Sequence, residues 1–281
     1  MDELALFSGA GGGILGGLLL GWRTRCAVEI DPYCRSVLLS RQRDGILEPF
    51  PIWDDIRTFD GRPWRGSITI ITGGFPCQDV SLCGRGEGIT GERSGLWMEM
   101  ARVVGEILPR FVFVENTPAL TSRGLGVVLG DLAALGYDQE WGVIGAHHAG
   151  APHRRDRIWI LGQRSQFRGT LADPCKEPIF LVSRRAVQSG RDAAWDGRED
   201  VADSDCGSGN GWPGESRRQA ERRAVISGDG WWQVEPDVGR VAHGMASRMD
   251  RLRSLGNGQV PAVAALAFRI LYARLKRRST K

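Results

Sequence analysis

The fold class of this chain is decided by the stretch Leu4-Ala5-Leu6-Phe7-Ser8-Gly9-Ala10-Gly11-Gly12-Gly13-Ile14. An apolar segment over residues 4–7 is followed by a turn that contains four glycines, and then by helical spacing over residues 14–21. Glycines at such a point let the backbone approach a ligand closely, and the helix N-terminus offers unpaired amides. The stretch therefore predicts a strand, a tight turn and a helix, as in the first unit of an α/β sheet.

The alternation of short apolar segments and helical stretches continues to residue 164. It predicts an α/β fold with a doubly wound sheet. The predicted strands are residues 4–7, 24–29, 68–72, 111–115, 140–146 and 158–161. The predicted helices are residues 14–21, 32–41, 96–108 and 126–135. A further helix is expected from Pro261 through residue 275, with the proline in its first turn.

The pattern changes after residue 164. From residue 165 to 229 it dissolves into Gly, Ser, Asp and Arg, which favours a small separate domain or long inserted loops. Single cores seldom grow beyond roughly 250 to 300 residues, so a chain of 281 residues has room for one large and one small domain. We expect a large domain over 1–164, a small irregular region over 165–244 and a C-terminal segment over 245–281.

The composition excludes several classes of protein. Hydrophobic residues make up 42% and charged residues 25%, as in a soluble globular protein and unlike a disordered, collagenous or fibrous chain. The apolar run over residues 14–20 is far shorter than the roughly 20 residues of a membrane span. Asp2 and Glu3 stand where a secretory signal needs positive charge. We expect a cytoplasmic protein with no membrane partner and, because the six cysteines form no Cys-x-x-Cys pair, no metal site.

Positive charge is concentrated near the end of the sequence. The formal net charge is +4, and residues 236–281 contain ten Lys and Arg against two Asp and Glu. Arg248, Arg251, Arg253 and the cluster Lys276-Arg277-Arg278 could meet a polyanion. For the last cluster, a solvated helix end with favourable dipole interactions is an equally good explanation.

An acidic segment follows the second predicted strand. Glu29 and Asp31 lie where the ribose hydroxyls of a nucleoside would reach the carboxyl edge of the sheet. Together with the glycine turn, they predict an adenosine-bearing cofactor. A purely structural turn capped by these acids is the open alternative.

Three more segments place reactive side chains after predicted strands. Cys77 follows Gly-Gly-Phe-Pro, a tight loop that could project the thiol outward, although a lone cysteine is usually an inert small hydrophobe. Glu115 ends a buried strand and either caps the next turn or is protonated and donates to a ring nitrogen. Arg155 and Arg157 are expected on one side of an extended segment, where they suit a carbonyl, carboxylate or phosphate, or form a surface ion-pair row.

In this order the segments resemble the cytosine-5 DNA methyltransferase family, of the compact phage-associated or restriction-modification type. The resemblance extends to Asp54-Asp55-Ile56, to residues 91–97 and to residues 255–261, and it covers residues 1–164 and 236–275. It implies a Rossmann-like, S-adenosylmethionine-dependent methyltransferase domain, with a target-recognition region over 165–244. The chain would re-enter the catalytic domain in its C-terminal segment.

The sequence departs from the family pattern at a few positions. His153 stands where the family usually has Gln, and Asn116-Thr117 replaces the commoner Asn-Val. Gly258-Gln259 lies within a segment that is usually of the Gly-Asn-Ala-Val-Val-Pro type. None of these differences removes a reacting group.

The resemblance implies a mechanism. Cys77, as a thiolate, adds to C6 of a cytosine flipped out of duplex DNA, and the activated C5 takes the methyl group of S-adenosylmethionine. Glu115 would donate to ring N3 and hold the exocyclic amine, Arg157 would hold the O2 carbonyl, and Arg155 would support the site. The substrate loop after the nucleophile includes Gln78 and Ser81.

The resemblance also implies which residues bind the cofactor. Glu29 would take the ribose hydroxyls, Asp55 and Ile56 would meet the adenine, and Asn257 would close the pocket from the C-terminal segment. The full set expected at this pocket is Phe7, Ser8, Gly9, Ala10, Gly11, Gly12, Glu29, Ile30, Asp55, Ile56, Pro76 and Asn257.

The expected partner is double-stranded DNA, bound by a monomer. If the protein is half of a restriction-modification pair, a second expected partner is the cognate restriction endonuclease that acts on the same site. A transfer RNA cytosine-5 methyltransferase can share this motif set and remains the main alternative. A silent DNA-binding protein conflicts with the intact Cys77, Glu115 and Arg157, and a nicotinamide-dependent oxidoreductase would explain only the glycine turn.

Overall fold

The structure is a computed structural model that describes residues 1–76, 95–167 and 248–279. The chain divides into two units, one formed by Met1–Leu181 with Ala246–Lys281 and the other by Val182–Met245. All described residues belong to the first unit. Three predicted site residues, Cys77, Gln78 and Ser81, lie outside the described residues, as do residues 168–244 of the predicted recognition region 165–244.

A seven-stranded sheet forms the centre of the first unit, in the order β3-β2-β1-β4-β5-β7-β6. Strand β7 runs antiparallel to both β5 and β6, whereas the pairs from β3 to β5 are parallel. The strands are β1 (Asp2–Leu6), β2 (Arg23–Val28), β3 (Ile52–Trp53), β4 (Ile70–Gly73), β5 (Phe111–Asn116), β6 (Tyr137–Ile144) and β7 (Arg157–Arg164).

Helices cover both faces of this sheet. Within the described ranges they are α1 (Gly12–Leu19), α2 (Pro32–Arg43), α3 (Gly95–Ile107), α4 (Leu120–Arg123), α5 (Leu125–Ala134), α6 (Arg248–Asn257) and α7 (Pro261–Ser279). Short 3-10 turns occur at Ile56–Thr58, Arg62–Trp64, Ala146–Ala149 and Ser165–Phe167. Every residue of β5 is buried, as expected for a strand covered on both sides.

Alternate residues of β5 point to the two faces and separate two cores. Val112 and Val114 belong to the core under α3 and α5, and Phe111 and Phe113 belong to the core under α7. Phe268 of α7 is fully buried there. Its ring lies edge-on to both of these phenylalanines, with centroids 6.1 and 5.6 Å away.

The C-terminal helix α7 returns to the beginning of the chain. It packs so closely on α1 that a Cβ on Gly16 would lie 2.8 Å from the Cβ of Ala264 and 3.0 Å from the carbonyl oxygen of Pro261. This contact brings the segment between α6 and α7 over the N-terminus of α1. The C-terminal helix therefore packs against the N-terminal part of the same unit.

The predicted α/β class and doubly wound sheet are confirmed. Element bounds shift by up to four residues. The predictions missed β3, which pairs only through Ala27 and Val28, and the helices α4 and α6. Across residues 1–76, 95–167 and 248–279, no helix combines the length and apolarity needed to cross a bilayer.

Candidate active site

The glycine turn between β1 and α1 is sharply folded. Phe7, Gly9 and Gly11 have positive φ angles of 52°, 53° and 89°. For the two glycines this conformation costs little, whereas for Phe7 it is strained. The Ser8 amide donates to the Val28 carbonyl at 3.2 Å, which ties the turn to β2. Strain held in place by neighbouring structure is typical of ligand-binding turns.

The turn also borders open space. A Cβ added to Gly9 would meet no described atom within 4 Å beyond its chain neighbours. The Ser8 hydroxyl oxygen is buried and has no hydrogen-bond partner in the part of the chain that the structure describes. A buried hydroxyl without a partner is costly, so a ligand at this turn would offer it a favourable contact.

Glu29 lies directly after β2 and is 7% exposed. Its Oε2 accepts a hydrogen bond from the Gly9 amide at 2.6 Å, and its Oε1 accepts one from the Asp31 amide at 2.8 Å. Burial raises the pKa of the Glu29 carboxyl, and the two amides oppose this effect. Asp31 caps α2 through the amides of Tyr33 and Cys34. The capping role thus belongs to Asp31, and Glu29 joins the glycine turn to the next strand.

The predicted adenine-binding residues follow β3 at the same edge. The Glu29 amide donates to the Trp53 carbonyl at 2.9 Å, which places this segment beside the ribose candidate. Ile30 is 62% exposed, so its apolar surface is available to a ligand. Ile56 is buried in the core instead, and Asp55 pairs with Arg57 at 2.6 Å, which lowers the pKa of the Asp55 carboxyl.

The segment after β4 leads toward Cys77. The Asn116 side-chain amide donates to the Phe75 carbonyl at 3.1 Å, and the buried Phe75 ring lies 5.4 Å from the ring of Trp97 in α3. Pro76 is exposed. Both flanks of residues 77–94 are therefore anchored to the core, although the nucleophile candidate itself lies outside the described residues.

Glu115 near the end of β5 is 8% exposed and forms an ion pair with Arg157 at the start of β7. Arg157 Nε lies 2.9 Å from Glu115 Oε1. Burial raises the pKa of Glu115, and the positive charge of Arg157 is the main opposing influence. A Cβ on Gly74 would lie 2.7 Å from Glu115 Oε2, so glycine is needed where β4 meets this carboxylate.

The structure corrects the prediction for Arg155. It was expected beside Arg157 on an extended segment, but its φ is +40° and β7 begins only at Arg157. Arg155 Nη2 donates to the carbonyl oxygens of Gly256 and Gly258, at 2.7 and 2.6 Å. Because the last carbonyls of a helix lack partners within it, they attract such a cation. Arg155 therefore holds the C-terminal segment.

Sequence reasoning missed Gln259 as a site residue. Asn257, the predicted one, is exposed at the end of α6. Two residues later, the Gln259 side chain reaches Glu115 with Nε2 3.5 Å from Oε2. The one signal in the sequence for Gln259 was a long polar side chain at a position where the Gly-Asn-Ala-Val-Val-Pro type of segment has an apolar residue.

The structure thus brings three predicted groups to one edge of the sheet: the glycine turn with Glu29, the end of β4, and the Glu115–Arg157 pair. Among the described residues, no group of three His, Cys, Asp or Glu side chains could hold a metal ion.

Known proteins match this chain over most of its length. Residues 1–202 match the family model described as C-5 cytosine-specific DNA methylase. The type II methyltransferase M.PspPI of Psychrobacter sp. (strain TA137) is 31% identical, over 82% of this chain and 54% of that protein. The type II methyltransferase M.Eco47II of Escherichia coli is 29% identical, over 83% and 54%. The chain spans about half the length of these curated relatives.

A solved structure has a similar fold. The methyltransferase EhMeth of Entamoeba histolytica matches with a TM-score of 0.50 and 13% identity, over 63% of this chain and 57% of that one. At this identity the match bears on the fold alone.

Proposed function

Because the chain belongs to the C-5 cytosine-specific DNA methylase family, we propose that it is a DNA (cytosine-5-)-methyltransferase. It transfers a methyl group from S-adenosylmethionine to C5 of a cytosine flipped out of duplex DNA. The family predicted from the motifs is confirmed by the family model, and the reaction is our proposal.

The arrangement around Glu115 carries this proposal. The buried Glu115 and the half-buried Arg157 form an ion pair beside Gly74, three residues before Cys77. Gln259 contacts both this pair and the glycine turn. Ligand sites of open α/β sheets lie at the carboxyl ends of the strands, where these groups meet. A nucleophile on the β4 loop and an acid on β5 would therefore reach the same bound base.

The glycine turn fits an adenosine-bearing methyl donor. The partnerless Ser8 hydroxyl and the open space at Gly9 leave room for a polar ligand. Each carboxylate oxygen of Glu29 holds one amide and keeps a further lone pair for a ribose hydroxyl. The exposed Ile30 side chain offers an apolar contact to the purine. S-adenosylmethionine, when bound, supplies an electrophilic methyl group.

The mechanism follows from the residues around the base. The Cys77 thiolate forms a bond to C6, while Glu115, as the acid, donates to ring N3, so that C5 gains electron density. After C5 has taken the methyl group, a general base accepts the C5 proton, and the C6–S bond breaks to restore the C5–C6 double bond and the Cys77 thiolate. N3 returns its proton to Glu115. Burial raises the pKa of Glu115, which favours the protonated form that can donate.

The two arginines have different parts in this mechanism. Arg157 Nε holds Glu115 and its Nη1 donates to the Asp156 carbonyl at 2.9 Å, which leaves Nη2 to donate to O2 of the base. Arg155 acts indirectly, since it holds the carbonyls of the C-terminal segment.

We assign duplex DNA as the substrate because the family model and the named relatives are DNA methylases and type II methyltransferases. Residues 165–244 would read the target sequence. A restriction endonuclease that cuts the same site is the partner expected if the chain works as half of a restriction-modification pair.

The proposal is tested by methyl transfer from methyl-labelled S-adenosylmethionine to plasmid DNA and, separately, to transfer RNA. We expect label in DNA at C5 of cytosine and none in transfer RNA. Cys77→Ser should nearly abolish transfer while cofactor binding stays near normal. Cys83→Ser, six residues later in the sequence, should retain transfer. Full turnover by Cys77→Ser would overturn the mechanism, and label in transfer RNA alone would establish the alternative substrate.

A second test traps the bond to sulfur. Duplex DNA with 5-fluorocytosine at the target position should form a stable adduct with the wild type, because fluorine cannot leave as a proton does. Recovery of only free wild-type protein after denaturation, from DNA that is methylated when it carries cytosine, would contradict the covalent step.

A further inference from the structure

Gln259 lies between the glycine turn and the Glu115–Arg157 pair. A Cβ on Gly12 would overlap its backbone carbonyl, and a Cβ on Gly13 would lie 2.5 Å from its side-chain oxygen. Its side-chain nitrogen lies 3.5 Å from Glu115 Oε2 and would be 3.2 Å from a Cβ on Gly74. Three glycines therefore make room for this one side chain and its backbone.

Contacts on both sides hold Gln259 in place. Before it, Arg155 binds the carbonyl oxygens of Gly256 and Gly258. After it, Pro261 opens α7, whose first turn packs on Gly16 of α1. A side chain supported in this way loses little further conformational freedom when it makes a hydrogen bond. Its contact with Glu115 is thus built into the return of the C-terminal segment.

The two oxygens of Glu115 have different partners. Oε1 faces the charged Nε of Arg157 at 2.9 Å, which favours negative charge on that oxygen. Oε2 faces the neutral amide of Gln259 at the longer distance of 3.5 Å. Oε2 is therefore the oxygen better suited to carry the proton that Glu115 donates.

We propose that Gln259 is a positioning residue for Glu115, whose side-chain amide holds Oε2 in line with the target base while Arg157 holds Oε1. This inference rests on the proposed function, in which Glu115 donates to the ring. Burial raises the pKa of Glu115 and so favours the protonated carboxyl. The donors on Arg157 and Gln259 oppose burial and let Glu115 release and recover its proton within a turnover.

The first experiment is a titration that does not depend on activity. Protein labelled with ¹³C at the glutamate carboxyl is titrated by NMR, and the Glu115 signal is assigned with Glu115→Gln. Gln259→Met keeps the length of the side chain and removes the donor. It should raise the midpoint of the Glu115 titration by about half a pH unit, which corresponds to one neutral hydrogen bond. Ser254→Ala is the control, because that hydroxyl donates only within α6.

The second experiment measures methyl transfer to DNA against pH. Gln259→Met should lower kcat by roughly 3- to 10-fold and move the alkaline limb upward by about half a unit, with KM for S-adenosylmethionine changed by less than about twofold. A purely structural role would lower the active fraction and leave the limb in place. If the methionine variant fails to fold, Gln259→Asn keeps the amide but shortens its reach, and it should move the midpoint in the same direction.

The outcomes separate the two proposals. A shifted titration with no methyl transfer by the wild type supports the link between Gln259 and Glu115 and overturns the proposed function. An unshifted titration in variants that fold normally overturns the role of Gln259, whatever the enzyme does to DNA.

Discussion

Replacement of Glu3 by glutamine should remove a large part of the pH dependence of stability. Glu3 in β1 is fully buried, and its two carboxyl oxygens accept hydrogen bonds from the hydroxyls of Thr24 and Thr72, at 2.7 and 2.8 Å. Burial raises the pKa of Glu3 from its ordinary 4.5 to about 7. Glutamine fits the same space without ionising: its amide oxygen accepts from one hydroxyl, and its NH2 group donates to the oxygen of the other.

The sign and size follow from the two protonation states. Below pH 4.5 the side chain is protonated in both the folded and the unfolded chain. Between pH 4.5 and about 7 only the unfolded chain releases the proton, so the free energy of unfolding falls as pH rises. A difference of about 2.5 pH units at 1.36 kcal/mol each corresponds to about 3 kcal/mol, all of it lost above pH 7.

Urea unfolding at pH 4, 5, 6, 7 and 8 measures this effect. The stability of wild type relative to Glu3→Gln should fall by about 3 kcal/mol across the series. Asp2→Asn is the matched control, because Asp2 forms an exposed pair with Arg25 that contributes about 1 kcal/mol or less. A wild-type curve parallel to that of Glu3→Gln would refute the reasoning, since it would mean that Glu3 titrates alike in both states.

Two further predictions concern packing. Gly12→Ala should lower the free energy of unfolding by about 1–3 kcal/mol, because its Cβ would overlap the Gln259 backbone. Gly130→Ala in α5, which has open space around it, should raise the free energy of unfolding by about 0.5–1 kcal/mol. Equal effects of the two variants in thermal unfolding would contradict the close approach of Gly12 to Gln259. Phe268→Ala should lower the free energy of unfolding in urea by about 3–5 kcal/mol. Met98→Ala should lower it far less, because the Met98 side chain is 56% exposed. A small loss for Phe268→Ala would mean that α7 does not cover that core.

Short continuous apolar segments bounded by turns were sufficient to predict most of the sheet, because strands covered on both faces have this pattern. It could not predict β3, which is two residues long and held by only two residue pairs of β2. Nor could it predict α6, since Met249, Leu252 and Leu255 are exposed there and no buried apolar face marks the helix.

The site residues that could be predicted are the charged ones that lie at the ends of predicted strands. Glu29, Glu115 and Arg157 all lie where their strands place them. Arg155 and Gln259 were not predictable in this way, because their positions depend on tertiary contacts. Arg155 binds backbone carbonyls at the end of α6, about 100 residues later in the chain. Gln259 fills the space left by Gly12 and Gly13 at the start of α1 and by Gly74 after β4.

The packing of α7 on β5 and α1 has a consequence for synthesis on the ribosome. The aromatic surface formed by Trp22, Phe111 and Phe113 is translated long before the helix that covers it. Until Pro261 and the rest of α7 have been translated, this apolar surface stays exposed on the nascent chain and can aggregate with other chains. We expect a chaperone that binds exposed apolar surface to hold chains halted before residue 261 and to release those that have gained α7.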